Sequence, residues 1–129
     1  MREDAPRHEI MRDYIQSLRS APEPFGISDL VLSGALRVLT HPRVFIPPTP
    51  PAAALAYVSA LRATPNFVVV APGPRHWDIF AGLLKSSRAT GNLVADAWHA
   101  ALAIEHGCEW ISDDADFARF DALRWRRPV

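Results

Sequence analysis

The most informative part of this 129-residue chain is residues 91–117, GNLVADAWHAALAIEHGCEWISDDADF. Its first half is rich in alanine and has apolar residues at helical spacing from Asn92 to His106, where Gly107 provides a helix stop. The run 109–112 that follows, with Trp110 and Ile111 at its centre, is interpreted as a β-strand. Three aspartates come directly after it, so the segment predicts a helix, a strand and an acidic loop in succession.

Working outward from this segment, apolar periodicity and helix-breaking prolines predict four more helices. They cover about residues 4–19, 29–39, 51–62 and 76–87. The residues expected to cap the helices are Asp4, Ser28, Thr49 and Asn92. The side chains expected to face inward from the third and fourth helices are Leu55, Val58, Leu61, Trp77, Phe80, Leu83 and Leu84.

Short apolar runs between the helices predict the strands. Phe25–Ile27 and Leu123–Trp125 are candidates, and the continuous β-branched run Phe67–Val70 is typical of a strand buried on both faces. Strands that alternate with helices indicate an α/β fold with a mostly parallel sheet. The length predicts one domain over residues 1–129. The chain opens on a helix, whereas such folds commonly open on a buried strand, so we expect a first strand to be missing.

Composition excludes several classes of protein. Lys plus Arg equals Asp plus Glu, at 14 each, which excludes a globally basic nucleic-acid binder but not a local basic patch. A single cysteine excludes an internal disulfide framework and fits a reducing cytoplasm. No apolar run approaches the roughly 20 residues that a membrane helix needs. The charged N-terminus is not that of a signal peptide.

The acidic loop carries the strongest chemical signal. Asp113, Asp114 and Asp116 follow a strand, and ligands of open α/β sheets bind beyond the carboxyl ends of strands. Crowded carboxylates repel one another, and a hard cation such as Mg²⁺ relieves that repulsion. Asp96, near the start of the alanine-rich helix, is expected to approach the loop. The alternatives are a solvated acidic turn for the loop and a helix-dipole contact for Asp96.

The remaining candidates are weaker. His99 and His106 are interpreted as surface or helix-end residues, and Cys108 as a buried thiol at a strand edge. Arginines gather in two places, at Arg37 and Arg43 and around Trp125 near the C-terminus. An arginine–tryptophan cluster suits RNA, and an ordinary solvated C-terminus is the alternative.

Together these segments resemble the PIN-domain ribonuclease toxins of VapC type. The likeness rests on Gly91–Ala97 with Ala100–Ala103, on Ser112–Phe117, on Ser28–Val38 with Thr40–Arg43, and on Leu123–Trp125. It covers nearly the whole chain.

The resemblance implies a PIN-like three-layer sandwich and an Mg²⁺- or Mn²⁺-dependent endoribonuclease. Asp96 and Asp114 match the metal-binding acids of the family and Asp116 an accompanying acid, so all three are the expected catalytic residues. RNA is the implied substrate and an antitoxin of VapB type the implied partner. A homodimer in the cytoplasm is expected.

Two departures from the family pattern qualify this expectation. The family begins with an apolar strand ending in an aspartate, which would lie before Met1, so we expect an N-terminally truncated PIN-like domain. A start codon assigned too far downstream is the favoured interpretation, and a truly shortened gene is the alternative. Leu32 stands where the family often has a glutamate. A catalytically inactive module that binds antitoxin or RNA is therefore the competing hypothesis.

Overall fold

The computed structural model describes residues 5–43 and 47–128, with side chains from residue 9 onward. Its elements, in chain order, are α1 (Ala5–Ser20), α2 (Asp29–Leu39), α3 (Pro51–Arg62), α4 (His76–Ser87), α5 (Asn92–Glu105), β1 (Trp110–Ile111), a 3₁₀-helix (Ala115–Arg119) and β2 (Trp125–Arg126). The helix boundaries agree with the predicted ones to within one residue, while the strands are shorter. The predicted cap at Asp4 lies outside the described residues.

The helix ends follow local chemistry. Ser28 caps α2 as predicted, because its Oγ accepts the backbone N–H of Val31 at 3.2 Å. The other two predicted caps are wrong by one residue. Pro50, not Thr49, precedes α3, and Gly91, not Asn92, precedes α5, since Asn92 already lies in the first turn. Gly107 adopts a φ of +65° just after α5, the left-handed conformation expected of a helix stop.

The described residues divide into two compact units, the first ending at Val70 and the second beginning at Ala71. In the first unit α2 packs against α3, and the core is formed by Phe25, Leu32, Val58 and Leu61. The predicted burial of Leu55 is wrong, because its side chain is 57% exposed. Ala54 takes the interior position instead, since Ala54, Val58 and Leu61 share one face and Leu55 lies about 100° away from it.

The predicted strand at 67–70 is also wrong as a buried strand. Only Phe67 pairs, in one parallel bridge to Phe25, whose carbonyl accepts the N–H of Val68 at 2.8 Å. The side chains of Val68 and Val69 are 42% and 68% exposed. β-Branched residues favour an extended backbone, but burial of a strand depends on elements that cover both faces of its sheet, which the local sequence does not reveal.

In the second unit the core forms around α5. The face of α5 at Ala97, Ala100 and Ala101 is fully buried. The aromatic and aliphatic side chains in the same cluster come from α4, the 3₁₀-helix and the segment after it, and include Phe80, Leu83, Phe117, Phe120 and Leu123. Because alanine extends only one methyl group from the backbone, these larger side chains approach the α5 backbone closely.

Two other burial predictions in this unit are wrong. Trp77 is 70% exposed, and His76 occupies the interior position of α4, where its Nε2 hydrogen-bonds the carbonyl of Trp98 at 3.0 Å. Phe80 and Leu83 lie four and seven residues after His76 and therefore share its face of α4. Trp77 lies one helical position away from that face. Cys108 is exposed because β1 begins only at Trp110, so the thiol lies in the turn and not in the strand.

Glu105, the last residue of α5, holds the segment that leads into α4. This residue was not singled out from the sequence. The carboxylate of Glu105 accepts the backbone N–H groups of Gly73 and Arg75 at 2.8 and 2.9 Å. The hydrogen bond from Gly73 is the main reason why the pKa of Glu105 lies below its usual value. A side chain at position 73 would place its Cβ 2.6 Å from Glu105 Oε2, so a substitution there would force this carboxylate to shift.

The strands β1 and β2 form a parallel pair, with Trp110 opposite Trp125 and Ile111 opposite Arg126. The parallel direction agrees with the prediction, as does the parallel Phe25–Phe67 bridge in the first unit. Since β1 ends at Ile111, its carboxyl end leads directly into the acidic loop.

The close packing of α5 predicts a position-dependent effect of enlarging alanine. Ala101→Leu should lower the free energy of unfolding by about 1–3 kcal/mol, because the extra carbons have no space in a filled core. Ala95→Leu is the matched control on the exposed side of the same helix and should change it by less than about 0.5 kcal/mol. Urea denaturation followed by circular dichroism measures both. Equal effects of the two substitutions would contradict the packing described for α5.

Candidate metal centre

Three aspartates from two elements converge at the carboxyl end of β1. Asp96 lies in the first turns of α5, Asp114 caps the 3₁₀-helix, and Asp116 lies in its first turn. One carboxylate oxygen from each lies within 4.8 Å of the others. Asp96 is half-buried, whereas Asp114 and Asp116 are exposed. The three residues singled out from sequence are therefore brought together, and the cluster is open to solvent on the loop side.

The acidic loop owes its shape to hydrogen bonds between its own residues. The N–H of Asp114 donates to Ser112 Oγ at 3.1 Å, and the N–H of Asp116 donates to Asp114 Oδ1 at 2.9 Å. The second contact is a side-chain cap, which explains why the 3₁₀-helix begins directly after Asp114. It engages one carboxylate oxygen of Asp114 and leaves the other oxygen available to a ligand.

The electrostatics of the cluster are repulsive. Burial raises the pKa of Asp96 above its usual value, and the negative charges of Asp114 and Asp116 raise it further. Asp113 is not one of the three clustered aspartates, and its Oδ1 lies 3.7 Å from Arg127 Nη1. A site with oxygen donors alone, and with unrelieved negative charge, suits a hard divalent cation.

An aromatic layer adjoins the segments that carry the aspartates. The rings of His99 and Trp110 stack at a centroid distance of 5.5 Å and an angle of 18°, and Trp110 contacts Phe117 at 5.3 Å. His99 follows Asp96 by three residues, and Phe117 follows Asp116 directly. The layer therefore constrains the elements that bear the acids.

The interpretation of His99 as a surface or helix-end residue is wrong. Its Nδ1 is buried without a hydrogen-bond partner in the described part of the chain, as is Trp110 Nε1. Burial lowers the pKa of His99 below its usual value, because the charged imidazolium is disfavoured away from water. The sequence signal that could have indicated this burial is the position of His99 on the half-buried side of an alanine-rich helix, which a tryptophan-containing strand follows.

The C-terminal arginines considered for RNA have partners within the chain. Arg126 Nε pairs with Glu109 Oε1 at 2.8 Å, and Arg124 Nη2 donates to the carbonyl of Gly107 at 2.7 Å. The guanidinium of Arg127 lies over the ring of Trp125 at 5.6 Å. Arg37 and Arg43 are exposed and belong to the first unit.

A comparison with protein families agrees with this geometry. The model of the PIN domain matches residues 1–123. This chain belongs to the PIN-domain family. Membership confirms the predicted α/β fold class, and the short parallel sheet and mixed helical content are consistent with it.

Curated relatives place this PIN-domain protein with the VapC type. It is similar to VapC ribonuclease Mb2897 of Mycobacterium bovis, with 44% identity over 128 residues, which cover 99% of this chain and 87% of the relative. Ribonuclease VapC25 of Mycobacterium tuberculosis is 40% identical, covering 98% and 89%, and Ribonuclease VapC33 of that species is 37% identical, covering 96% and 87%. Within the described residues, no helix combines the length and apolarity that a membrane crossing requires.

The raised pKa of Asp96 predicts how stability depends on pH in the metal-free protein. A carboxyl whose folded pKa lies above its unfolded value stabilises the fold below the unfolded pKa, and that contribution is lost as pH rises through the folded value. Asp96→Asn carries no charge and escapes this loss. We expect the variant to be more stable than the wild type at pH 7, and the difference to shrink toward pH 4.

Urea denaturation in EDTA at several pH values measures this difference. The matched control is Asp121→Asn, an exposed aspartate outside the cluster, which should show no such gain at pH 7. An Asp96→Asn variant that is less stable than wild type at pH 7 would contradict the conclusion that the ionised carboxylate of Asp96 is disfavoured in the fold.

Proposed function

We propose that this chain is a metal-dependent endoribonuclease, the toxin of a type II toxin–antitoxin system. The observation that carries the proposal is the cluster of Asp96, Asp114 and Asp116, with oxygens within 4.8 Å of one another, in a PIN-domain protein of VapC type. Its 37–44% identical relatives bear the name ribonuclease, which supports RNA as the substrate.

Asp96 and Asp114 are the proposed metal ligands, and the donor set supports Mg²⁺ or Mn²⁺. The cluster contains carboxylates and neither cysteine nor histidine, the side chains that favour Zn²⁺. Mg²⁺ is usually held by one or two carboxylates together with waters and substrate phosphates, so two aspartates suffice. When bound, such an ion polarises a phosphodiester and makes water a better nucleophile.

The protein's own groups then have distinct proposed roles. Asp96 is half-buried and fixed on a helix, so its carboxylate is the rigid side of the site. The N–H of Asp116 donates to Asp114 Oδ1 and orients the carboxylate of Asp114. The second oxygen of that carboxylate is left for the ion. Asp116 is exposed at the open side, where its carboxylate can accept a proton from the water that attacks an RNA phosphodiester.

The proposal includes the partners that go with a toxin of this type. They are an RNA substrate, a cognate antitoxin of VapB type that neutralises the activity, and a second copy of the chain. Cytoplasm is the proposed location, because cellular RNA is the substrate.

A second candidate is a catalytically inactive PIN-like module that binds antitoxin or RNA. The observation that favours it is the burial of Leu32, which is 5% exposed in the core of the first unit. An aliphatic core residue at that position supplies no carboxylate, so any ion depends more heavily on Asp96 and Asp114.

Cleavage of RNA by the purified chain distinguishes the two candidates. With total cellular RNA and millimolar Mg²⁺ or Mn²⁺, we expect endonucleolytic products that disappear in EDTA. Asp96→Asn and Asp114→Asn should each reduce the rate by about 100-fold or more, because each removes a proposed ligand of the ion. Asp121→Asn should leave the rate within about twofold, since that aspartate lies outside the cluster.

Three outcomes would contradict the proposal in different ways. Cleavage that persists in both aspartate variants would refute the site. Cleavage that persists in EDTA would refute the metal dependence. Absence of cleavage from a folded wild-type protein that binds Mn²⁺ would favour the inactive module.

A further inference from the structure

We propose that Trp125 and Arg127 are positioning residues that hold the acidic loop against the C-terminal segment that begins at β2 and so fix where Asp114 meets Asp96. This inference rests on the proposed function, since it concerns the same carboxylate cluster. We call the two side chains the C-terminal latch.

The latch contacts the two residues immediately before Asp114. Trp125 Nε1 donates to the carbonyl of Ser112 at 2.9 Å. Arg127 Nη1 donates to the carbonyl of Asp113 and lies 3.7 Å from its Oδ1. Two consecutive backbone carbonyls at the exit of β1 are thus held by side chains from another part of the chain.

The held residues lead directly to the carboxylates through hydrogen bonds. Ser112 Oγ accepts the N–H of Asp114, and Asp114 Oδ1 accepts the N–H of Asp116. Displacement of Ser112 would therefore move both exposed acids relative to Asp96, which lies on α5. The indole of Trp125 thus acts on Asp114 and Asp116 without touching either.

Within the described residues, the backbone pairing of the two strands ends at Ser112, before the aspartates. β1 and β2 are two residues each, and the backbone bonds that flank the paired residues run from Trp110 N–H to the carbonyl of Arg124 at 2.8 Å and from Ser112 N–H to the carbonyl of Arg126 at 3.1 Å. The side-chain contacts of Trp125 and Arg127 extend the attachment beyond the last backbone bond, to Asp113. The stacking of Arg127 on Trp125 at 5.6 Å joins the two parts of the latch.

The neighbouring Arg126 provides a matched control. It belongs to the same segment and pairs with Glu109, which precedes β1 and is not part of the acidic loop. A general weakening of the C-terminal segment would affect Arg126→Ala and Arg127→Ala alike. A positioning role would separate them.

The test compares Trp125→Phe, Arg127→Ala and Arg126→Ala in the full chain. Trp125→Phe keeps an aromatic ring, removes the indole N–H donor and reduces the ring system on which Arg127 stacks. The first measurement is hydrogen exchange of the amides of residues 112–117 in metal-free protein, observed by NMR. We expect exchange about tenfold faster in Trp125→Phe and Arg127→Ala than in wild type, and unchanged exchange in Arg126→Ala.

The second measurement is the affinity for Mn²⁺ by isothermal titration calorimetry, with the thermal midpoint recorded alongside. The dissociation constant should rise about tenfold in Trp125→Phe and Arg127→Ala, as is typical when groups that orient metal ligands are removed. It should stay within about twofold in Arg126→Ala. A purely structural role would lower the midpoint of all three variants and leave Mn²⁺ affinity unchanged.

The outcomes are separable from those of the proposed function. Unchanged exchange in both latch variants overturns the inference, and so does faster exchange with wild-type Mn²⁺ affinity. Wild-type protein that binds no Mn²⁺ contradicts the proposed function, and the exchange data alone then decide whether the latch holds the loop.

Discussion

Mutual repulsion among three aspartate carboxylates is the constraint on which the second unit depends. Their oxygens lie within 4.8 Å of one another, and the pKa of Asp96 is raised by burial and by its two neighbours. Such an arrangement is unfavourable without a cation, so the surrounding structure has to oppose the separation of the charges. Rigid elements on both sides of the cluster provide that opposition, which is the usual relation between a preorganised site and its scaffold.

The supports act on different sides of the cluster. The buried alanine face of α5 lets Phe80, Leu83 and Phe117 pack close to the helix that bears Asp96. The stacked rings of His99 and Trp110 join α5 to β1, although each ring retains a buried nitrogen without a partner among the described residues. The backbone of the acidic loop is shaped from within by Ser112 and Asp114. A hard cation then suits the charge that this scaffold concentrates.

Much of this could be predicted from the sequence because the signals are local. Helix boundaries followed from caps, prolines and apolar spacing, and the order of helix, strand and loop predicted that Asp96 would meet Asp114 and Asp116. The errors arose at positions where contacts between distant parts of the chain determine burial or strand pairing. Leu55 and Trp77 were predicted to lie on the buried face, whereas each lies one helical position away from it, and the run 67–70 depends on strand partners. The partners of Trp125 and Arg127 depend on the register between β1 and β2, which no local pattern reveals.

The most direct test of the cation site is crystallography of the metal-free protein soaked in Mn²⁺, with anomalous scattering used to locate the ion. We expect one strong anomalous peak, at about 2.0–2.3 Å from an oxygen of Asp96 and an oxygen of Asp114, the bonding range of hard cations. A peak elsewhere with none at these carboxylates, or no ordered Mn²⁺ at all, would contradict the claim that the three aspartates form a metal centre.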